Sequence, residues 1–257
     1  MKKRLIIDTN IWYNISNEDI YRLKNKYELV VPLMILNELY TSPNLNKTEN
    51  HFKAVQKAIN TILSNINIIK FIELNPFEFM LNEIYSDIKP YDNLNFYFEE
   101  FRAISNLDYN DLKGNYVRRF DISKLTNYIN QTAINYKKII NLNLSSKVKF
   151  KKIDTLELTK SLILMYANDN LKFVNKSYPK ITELSPINFE LLIVIFDSLL
   201  REVSKSGKKI ENNDWVDVFL LTYVQENDLY WTNEKSKIRL IKDSKLEKYL
   251  YSRSIMD

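Results

Sequence analysis

Four acidic residues occupy positions where the surrounding sequence is apolar or where an apolar run has just ended. Asp8 directly follows LII, Glu38 lies in PLMILNELY, Asp217 lies in DWVDVFLL, and Glu234 follows DLYWTN. A buried, ionised carboxylate is costly unless a cation neutralises it. A divalent ion that prefers oxygen ligands, Mg²⁺ or Mn²⁺, would serve all four acids together. Acidic residues at these four positions therefore predict a metal site.

Asp217 is the strongest of these signals. Leu220, Leu221 and Val224 follow it by three, four and seven positions and share its face of a predicted helix. No lysine or arginine lies three or four positions away to neutralise it along that helix. Asp214 lies one turn earlier on the same face and is predicted to assist as a ligand.

The first third of the chain has the alternation of an α/β fold. Continuous apolar runs predict buried strands over 3–8, 28–32 and 66–74. Helical spacing follows from Pro32, over 51–66, and again from Pro76. Strands that alternate with helices indicate a mainly parallel sheet.

The pattern changes at about residue 88 and resumes at about residue 185. Between these points the sequence is polar and rich in tyrosine, with helical spacing over 121–140 and 155–171 but no clear strand. We therefore predict a helical insertion over 88–184. After it, Ser185-Pro186 is expected to begin a helix that stops near Gly207, and a further helix over 214–227 precedes a strand at 228–231. The segment KYLYS near the end of the chain is predicted as an edge strand.

This arrangement predicts that the four acids share one edge of the sheet. In an open parallel sheet, functional groups gather beyond the carboxyl ends of the strands. Asp8 and Glu234 follow predicted strands, and Glu38 lies in the helix that leaves the second strand.

At this point the sequence resembles the PIN-domain nucleases. The resemblance is carried by Asp8-Thr9-Asn10, by Glu38, by Asp217 fifteen positions before Thr232, and by Thr232-Asn233-Glu234. It covers roughly 3–75 and 186–250. It implies a PIN-like three-layer α/β fold with a central, mainly parallel sheet, in which 1–87 and 185–257 form the nuclease domain and 88–184 is inserted into it.

The resemblance also implies an activity: hydrolysis of phosphodiester bonds, most often in RNA, with 5′-phosphate and 3′-hydroxyl products. Mg²⁺ or Mn²⁺ would be held by Asp8, Glu38, Asp217 and Glu234, with Asp214 nearby, and would lower the pKa of a bound water. One departure stands out: the fourth acid of the family pattern is usually aspartate, and here it is Glu234.

Residues around the acids are candidates for substrate binding. Thr9, Asn10, Thr232 and Asn233 offer hydroxyl, amide and backbone donors beside the predicted site. Basic residues flank it on both sides: Lys205, Lys208 and Lys209 before it, and Lys235, Lys237 and Arg239 after it. These charges are predicted to contact phosphates. Arg118-Arg119 and KVKFKK at 147–152 would extend the basic track onto the insertion.

Three other interpretations of the same residues remain open. Asp8 and Asn10 also suit the simple capping of a following helix. Glu234 in place of aspartate suits a catalytically silent PIN-like module that binds RNA or a protein partner. A metal-dependent phosphatase or nucleotide hydrolase would use a similar scaffold and similar acids.

Composition sets the remaining limits. The 257 residues contain no cysteine, which excludes disulfides and thiolate metal sites and fits the cytoplasm. No apolar run approaches the roughly 20 residues that span a bilayer, so no membrane partner is predicted. The formal net charge of +5 is compatible with a nucleic-acid partner, RNA before DNA, and the insertion offers a surface for a protein regulator.

Overall fold

The computed structural model describes residues 2–90, 94–114, 131, 134, 152–171, 177–185, 187–206 and 212–252. The strands are β1 (Lys3–Ile7), β2 (Tyr27–Pro32), β3 (Lys70–Ile72) and β4 (Leu229–Trp231). They form one sheet in the order β3-β2-β1-β4, and every neighbouring pair is parallel. The expected α/β architecture with a parallel sheet is confirmed.

The central position of β1 brings the residue after β1 and the loop after β4 together at one edge of the sheet. Its pairing with β2 is local in sequence, but its pairing with β4 joins Leu5 to Leu229 and Ile7 to Trp231. Parallel neighbours end at the same edge of the sheet. The residue after β1 therefore lies beside the loop after β4, although more than 220 positions separate them.

The helices of the first third follow the strands as expected. They are α1 (Thr9–Trp12), α2 (Asn17–Lys26), α3 (Leu33–Tyr40), α4 (Glu49–Ser64) and α5 (Pro76–Tyr85). Local capping fixes their starts: Asn75 accepts from the backbone N–H groups of Phe77 and Glu78, and Pro76 takes the first helical position. Pro32 itself caps α3 and closes β2, so that helix starts one residue later than predicted.

In the described part of the remaining chain the helices are α6 (Leu94–Ser105), α7 (Tyr109–Gly114), α8 (Lys152–Asn170), α9 (Glu190–Ser206), α10 (Asn212–Leu220) and α11 (Lys235–Asp243). Short 3₁₀ segments lie at Pro43–Asn46, Leu221–Tyr223 and Glu247–Tyr249. The segment predicted at 121–140 lies outside the described residues apart from 131 and 134. Within the described ranges, no helix combines the length and apolar composition needed to cross a membrane.

Several predicted boundaries were wrong. The strand expected over 66–74 is only three residues long, because 66–69 form turns before Lys70. The helix expected from Ser185-Pro186 begins at Glu190, and the helix expected over 214–227 ends at Leu220 in a 3₁₀ turn. KYLYS makes a single parallel bridge, between Leu250 and Tyr230, rather than a full strand.

Both faces of the sheet are covered. Leu5, Ile6 and Ile7 are successive residues of β1, and all three are completely buried. Successive strand side chains point to opposite faces, so both faces of β1 are packed against other elements. This burial explains why β1 is continuously apolar instead of alternating.

The described helices between 88 and 184 pack against the rest of the chain. In α4, the Gln56 amide donates to the carbonyls of Ile104, Ser105 and Leu107 at and just beyond the end of α6. Tyr166 of α8 stacks on Phe77 of α5, with 5.8 Å between ring centroids. The described part of this region therefore contributes to the main hydrophobic core. The domain boundaries at 88 and 184 stay a prediction.

Candidate functional site

The four predicted acids lie at the carboxyl edge of the sheet. Asp8 follows β1, and Glu38 comes from α3, the helix that leaves β2. Asp217 comes from α10, and Glu234 lies three residues beyond β4, directly before α11. Four separate segments thus carry their carboxylates to one region, as the order of strands and helices predicts.

Asp8 is the most deeply buried of the four, with 3% of its surface exposed. Its Oδ1 accepts the backbone N–H of Thr9 at 2.8 Å, so it does cap α1. Its Oδ2 accepts from the Asn10 amide at 2.8 Å and from the Tyr230 hydroxyl at 2.8 Å. The capping interpretation is therefore correct for one oxygen, while the other belongs to a larger polar network.

Asn10 and Thr232 tie the loop after β1 to the loop after β4. The Asn10 amide donates to Thr232 Oγ1 at 3.0 Å, and its Oδ1 accepts the backbone N–H of Asn233 at 3.0 Å. Thr232 Oγ1 also accepts the backbone N–H of Glu234 at 3.1 Å. The side chains of Asn10 and Thr232 thereby fix the positions of Asp8 and Glu234. This is a positioning role, and contact of these side chains with substrate stays a prediction.

Glu38 is linked to the same loop through Thr9, whose hydroxyl donates to Glu38 Oε2 at 2.6 Å. Burial raises the pKa of the Glu38 carboxyl to about 7, and the negative charges of Asp8 and Asp217 add to this effect. The hydrogen bond from Thr9 and the positive charge of Lys237 act in the opposite direction. The ionised form of Glu38 is therefore disfavoured first by its burial and then by the neighbouring acids.

Asp217 is less buried than its apolar neighbours suggest, because 36% of its side chain is exposed. Burial still raises the pKa of its carboxyl, while Lys237 lowers it. Lys237 Nζ donates to Asp217 Oδ1 at 3.0 Å. The neutralising partner that Asp217 lacks along its own helix is thus supplied by α11. Asp214, one turn earlier, lines the cavity beside Asp217.

Lys237 lies among the acids. The sequence grouped it with the basic residues predicted to contact phosphates, but it is only 7% exposed. Its Nζ lies 3.1 Å from Asp8 Oδ2, 3.0 Å from Asp217 Oδ1 and 3.2 Å from Glu234 Oε2. A signal was available, because Lys237 shares a helix face with Leu240 and the fully buried Ile241.

The ammonium of Lys237 stays charged in this environment. Burial lowers its pKa, but the negative charges of Asp8, Asp217 and Glu234 outweigh burial and hold the pKa well above its ordinary value.

The donor chemistry of the site fits an oxygen-seeking divalent ion, but the present arrangement serves the ammonium. All four acids offer oxygen ligands of the kind that Mg²⁺ and Mn²⁺ prefer. Among the described residues, however, no three His, Cys, Asp or Glu side chains are grouped so as to hold one metal ion. Lys237 Nζ lies among the carboxylates instead. Fully ionised, the four acids would exceed the charge of Lys237 by three.

A cavity of about 540 Å³ opens beside this cluster. Asp217, Glu234 and Lys237 line one side of it. Its apolar lining is Ile195, Leu199, Val218, Leu221 and Leu240, and its other polar and charged residues are Glu202, Asp214, Ser236, Arg239 and Asp243. Acids outnumber bases along this lining. A polyanionic substrate would therefore need an added cation to approach the cluster closely.

The basic residues predicted to flank the site are only partly described. Lys208 and Lys209 lie outside the described residues, as do Arg118-Arg119 and most of the 147–152 segment. Lys235 is exposed in the first turn of α11, and Arg239 lines the cavity. Both remain placed to meet a phosphate.

Comparisons with protein-family models, with curated proteins and with solved structures found no match. The site must therefore be interpreted from its own geometry.

Proposed function

We propose that this protein is a PIN-like, divalent-metal-dependent nuclease that hydrolyses phosphodiester bonds in RNA. The carrying observation is that Asp8, Glu38, Asp217 and Glu234 converge from four segments at the carboxyl edge of a parallel sheet. This is the edge at which open α/β sheets bind ligands. The products would carry 5′-phosphates and 3′-hydroxyls, as the PIN resemblance implies.

Mg²⁺ or Mn²⁺ would be held by Asp8, Glu38 and Asp217, with Glu234 as a further ligand and Asp214 near the cavity. When bound, such an ion lowers the pKa of a water ligand and neutralises charge on the phosphoryl oxygens. Burial first, and then the charges of Asp8 and Asp217, raise the pKa of Glu38 to about 7, and a bound cation would favour its ionised carboxylate.

The remaining site residues position these acids. Asn10 holds Asp8 Oδ2 at 2.8 Å and Thr232 Oγ1 at 3.0 Å, and Thr9 orients Glu38 at 2.6 Å. Asp8 and Glu38 therefore each meet a donor that sets the orientation of the carboxylate, as metal ligands generally require. Thr9 and Asn233 border the site, and Lys235, Lys208 and Lys209 are proposed to hold the phosphates on either side of the scissile bond.

The choice of RNA over DNA rests on the PIN resemblance alone. A site that binds phosphates and metal ions does not distinguish the two sugars unless a group recognises the 2′-hydroxyl. Cleavage of matched oligonucleotides decides this point directly.

A second candidate function is a catalytically silent module that binds RNA or a protein partner. The observation that favours it is the ion pairing of Lys237 with three of the four acids. A cluster already neutralised by an internal ammonium has less need of a metal. In this interpretation, the acids and Lys237 form a structural network that fixes the loops after β1 and β4.

The deciding experiment is cleavage of labelled single-stranded RNA and DNA of the same sequence with Mn²⁺, with Mg²⁺ and with EDTA. The test variant is Asp8→Asn/Asp217→Asn, and the matched control is Glu99→Gln, an exposed acid of α6. Metal-dependent cleavage that the double variant loses and the control keeps would support the nuclease. If wild type binds the oligonucleotides but leaves them intact under all metal conditions, the silent module is favoured and the nuclease is rejected.

A further inference from the structure

Four oxygen atoms surround the ammonium of Lys237. Besides the three carboxylate contacts at 3.0–3.2 Å, its Nζ lies 3.3 Å from the hydroxyl of Tyr230. Tyr230 in turn donates to Asp8 Oδ2, the same oxygen that Lys237 contacts. An ammonium has three N–H donors, and those of Lys237 bond to Asp8, Asp217 and the Tyr230 hydroxyl, while Glu234 adds an ion pair.

The position of Lys237 is enforced by the fold. Its helix begins immediately after Glu234, and the backbone N–H of Ile238 bonds to the Glu234 carbonyl at 2.9 Å. Ile241, one turn further, is completely buried and anchors the same helix face. By contrast, the surface pair of Lys53 and Glu49 has both side chains more than half exposed. Lys237 is therefore held in place as a part of the core, which a surface lysine is not.

A metal ion and this ammonium would compete for the same carboxylates. Lys237 contacts Asp8 Oδ2 and Asp217 Oδ1, which belong to two of the acids that would hold the ion. A divalent ion and an ammonium held by shared ligands would repel each other strongly in a poorly solvated site. The two cations therefore exclude one another from this position.

We propose that Lys237 is a built-in counter-ion that competes with the divalent metal ion for the carboxylates, so that the metal binds only when the Lys237 ammonium moves away. This inference rests on the proposed metal-dependent function and specifies how that site is regulated. The cavity lined by Lys237 provides room for the displaced ammonium. In that position its charge faces the space that a substrate phosphate would enter.

The first test measures Mn²⁺ binding, by the electron paramagnetic resonance signal of free Mn²⁺, at one pH and ionic strength. Lys237→Met keeps the apolar stem and removes the charge, Lys237→Arg keeps the charge, and Lys242→Met, at an exposed position, is the matched control on the same helix. We expect Lys237→Met to bind Mn²⁺ at least about tenfold more tightly than wild type. Lys242→Met is expected to match wild type, and Lys237→Arg to bind no more tightly than wild type.

The second test needs no substitution and covers the case in which Lys237→Met does not fold. Wild-type protein is acetylated briefly with and without saturating Mn²⁺, and the extent at Lys237 and Lys235 is read by mass spectrometry. We expect Mn²⁺ to increase acetylation of Lys237 several-fold, because the ammonium leaves its buried position, and to leave Lys235 unchanged. Equal acetylation of Lys237 with and without the ion would overturn the proposal.

The outcomes for Lys237 and for the nuclease can be told apart. Equal Mn²⁺ affinity in wild type and Lys237→Met rejects the competition, even if RNA is cleaved. Failure of both proteins to bind Mn²⁺ rejects it as well. Tighter binding by Lys237→Met together with intact RNA in every reaction supports the competition and rejects the nuclease.

Discussion

The two ends of the β1–β4 pair differ in how their buried carboxylates are neutralised. At the amino end, the Arg4 guanidinium on β1 pairs with Asp228, which directly precedes β4. Arg4 Nε lies 3.0 and 3.1 Å from the two carboxylate oxygens, and Arg4 Nη2 also donates to the Tyr223 carbonyl at 2.7 Å. The carboxyl end instead gathers four acids, three of which pair with Lys237. At the amino end one cation neutralises one carboxylate, whereas at the carboxyl end the carboxylates outnumber the single lysine.

This difference separates a structural ion pair from a candidate site. Asp228 is 6% exposed, and its Oδ2 also accepts the backbone N–H of Gln225 at 2.8 Å, so its charge is fully compensated within the fold. At the carboxyl end, burial is the main cause of the raised pKa of Glu38, and the charges of Asp8 and Asp217 add to it. Buried, strongly perturbed groups beside a cavity are typical of functional sites.

The largest expected effect is on stability at the amino end. Arg4→Met leaves Asp228 buried without its cation, and we expect the free energy of unfolding to fall by about 3–4 kcal/mol. Urea denaturation of wild type and Arg4→Met measures this loss of unfolding free energy. The Mn²⁺ affinity of the folded variant should equal that of wild type. A matching loss of Mn²⁺ binding would contradict the separation of the two ends.

The next effect is a pH dependence that comes from Glu38. Its carboxyl has an ordinary pKa of 4.5 in the unfolded chain and a pKa of about 7 in the folded protein. Below pH 4.5 both states hold the proton, and Glu38 contributes nothing. As the pH rises from 4.5 to 7, the unfolded state loses its proton first and the folded state loses stability, and above 7 the effect is constant.

At about 1.4 kcal/mol for each pKa unit, the ionisation of Glu38 costs the folded protein about 3 kcal/mol by pH 8. We therefore expect Glu38→Gln to gain stability relative to wild type between pH 5 and pH 8 in EDTA, as measured by urea denaturation at each pH. Glu99→Gln, on the exposed face of α6, should follow the wild-type curve. Parallel curves for Glu38→Gln and wild type would show that Glu38 has an ordinary pKa.

Two separate variants, each lacking one carboxylate at one end of the β1–β4 pair, are expected to differ in activity. Asp8→Asn should lower metal-dependent RNA cleavage by about two orders of magnitude, because it removes a proposed metal ligand. Asp228→Asn should keep the cleavage rate of the folded protein while it lowers the melting temperature. Initial rates with excess Mn²⁺ measure the first effect, and thermal unfolding measures the second. Equal rates for the two variants would remove the functional distinction between the ends.

The smallest expected effect concerns the link between the two loops. Asn10→Ala removes hydrogen bonds to Asp8, Thr232 and the backbone of Asn233, and we expect a loss of about 1–2 kcal/mol in unfolding free energy. Asn14→Ala is the control, because Asn14 is exposed and its amide donates only at 3.5 Å to the Asn10 carbonyl. A loss for Asn14→Ala equal to that for Asn10→Ala would show that these bonds do not stabilise the site.

Local patterns in the sequence predicted most of the elements. The continuous apolar run before Asp8 gave β1, and Pro76 marked the first residue of α5. Boundaries that depend on tertiary packing were missed: β3 is limited to three residues, and α10 ends at Leu220 in the middle of an apolar run. Apolar composition alone does not distinguish the end of a helix from its interior.

The sequence by itself determined which carboxylates lie at strand ends and helix starts, because strand order and helix periodicity are encoded locally. It therefore placed Asp8, Glu38, Asp217 and Glu234 at one edge of the sheet. Only the tertiary structure decided which cation meets them. Lys237 is 229 positions from Asp8, and Arg4 is 224 positions from Asp228. Such pairs depend on how β4 crosses to the far side of β1, because the energy of a buried charge is set by neighbours in space.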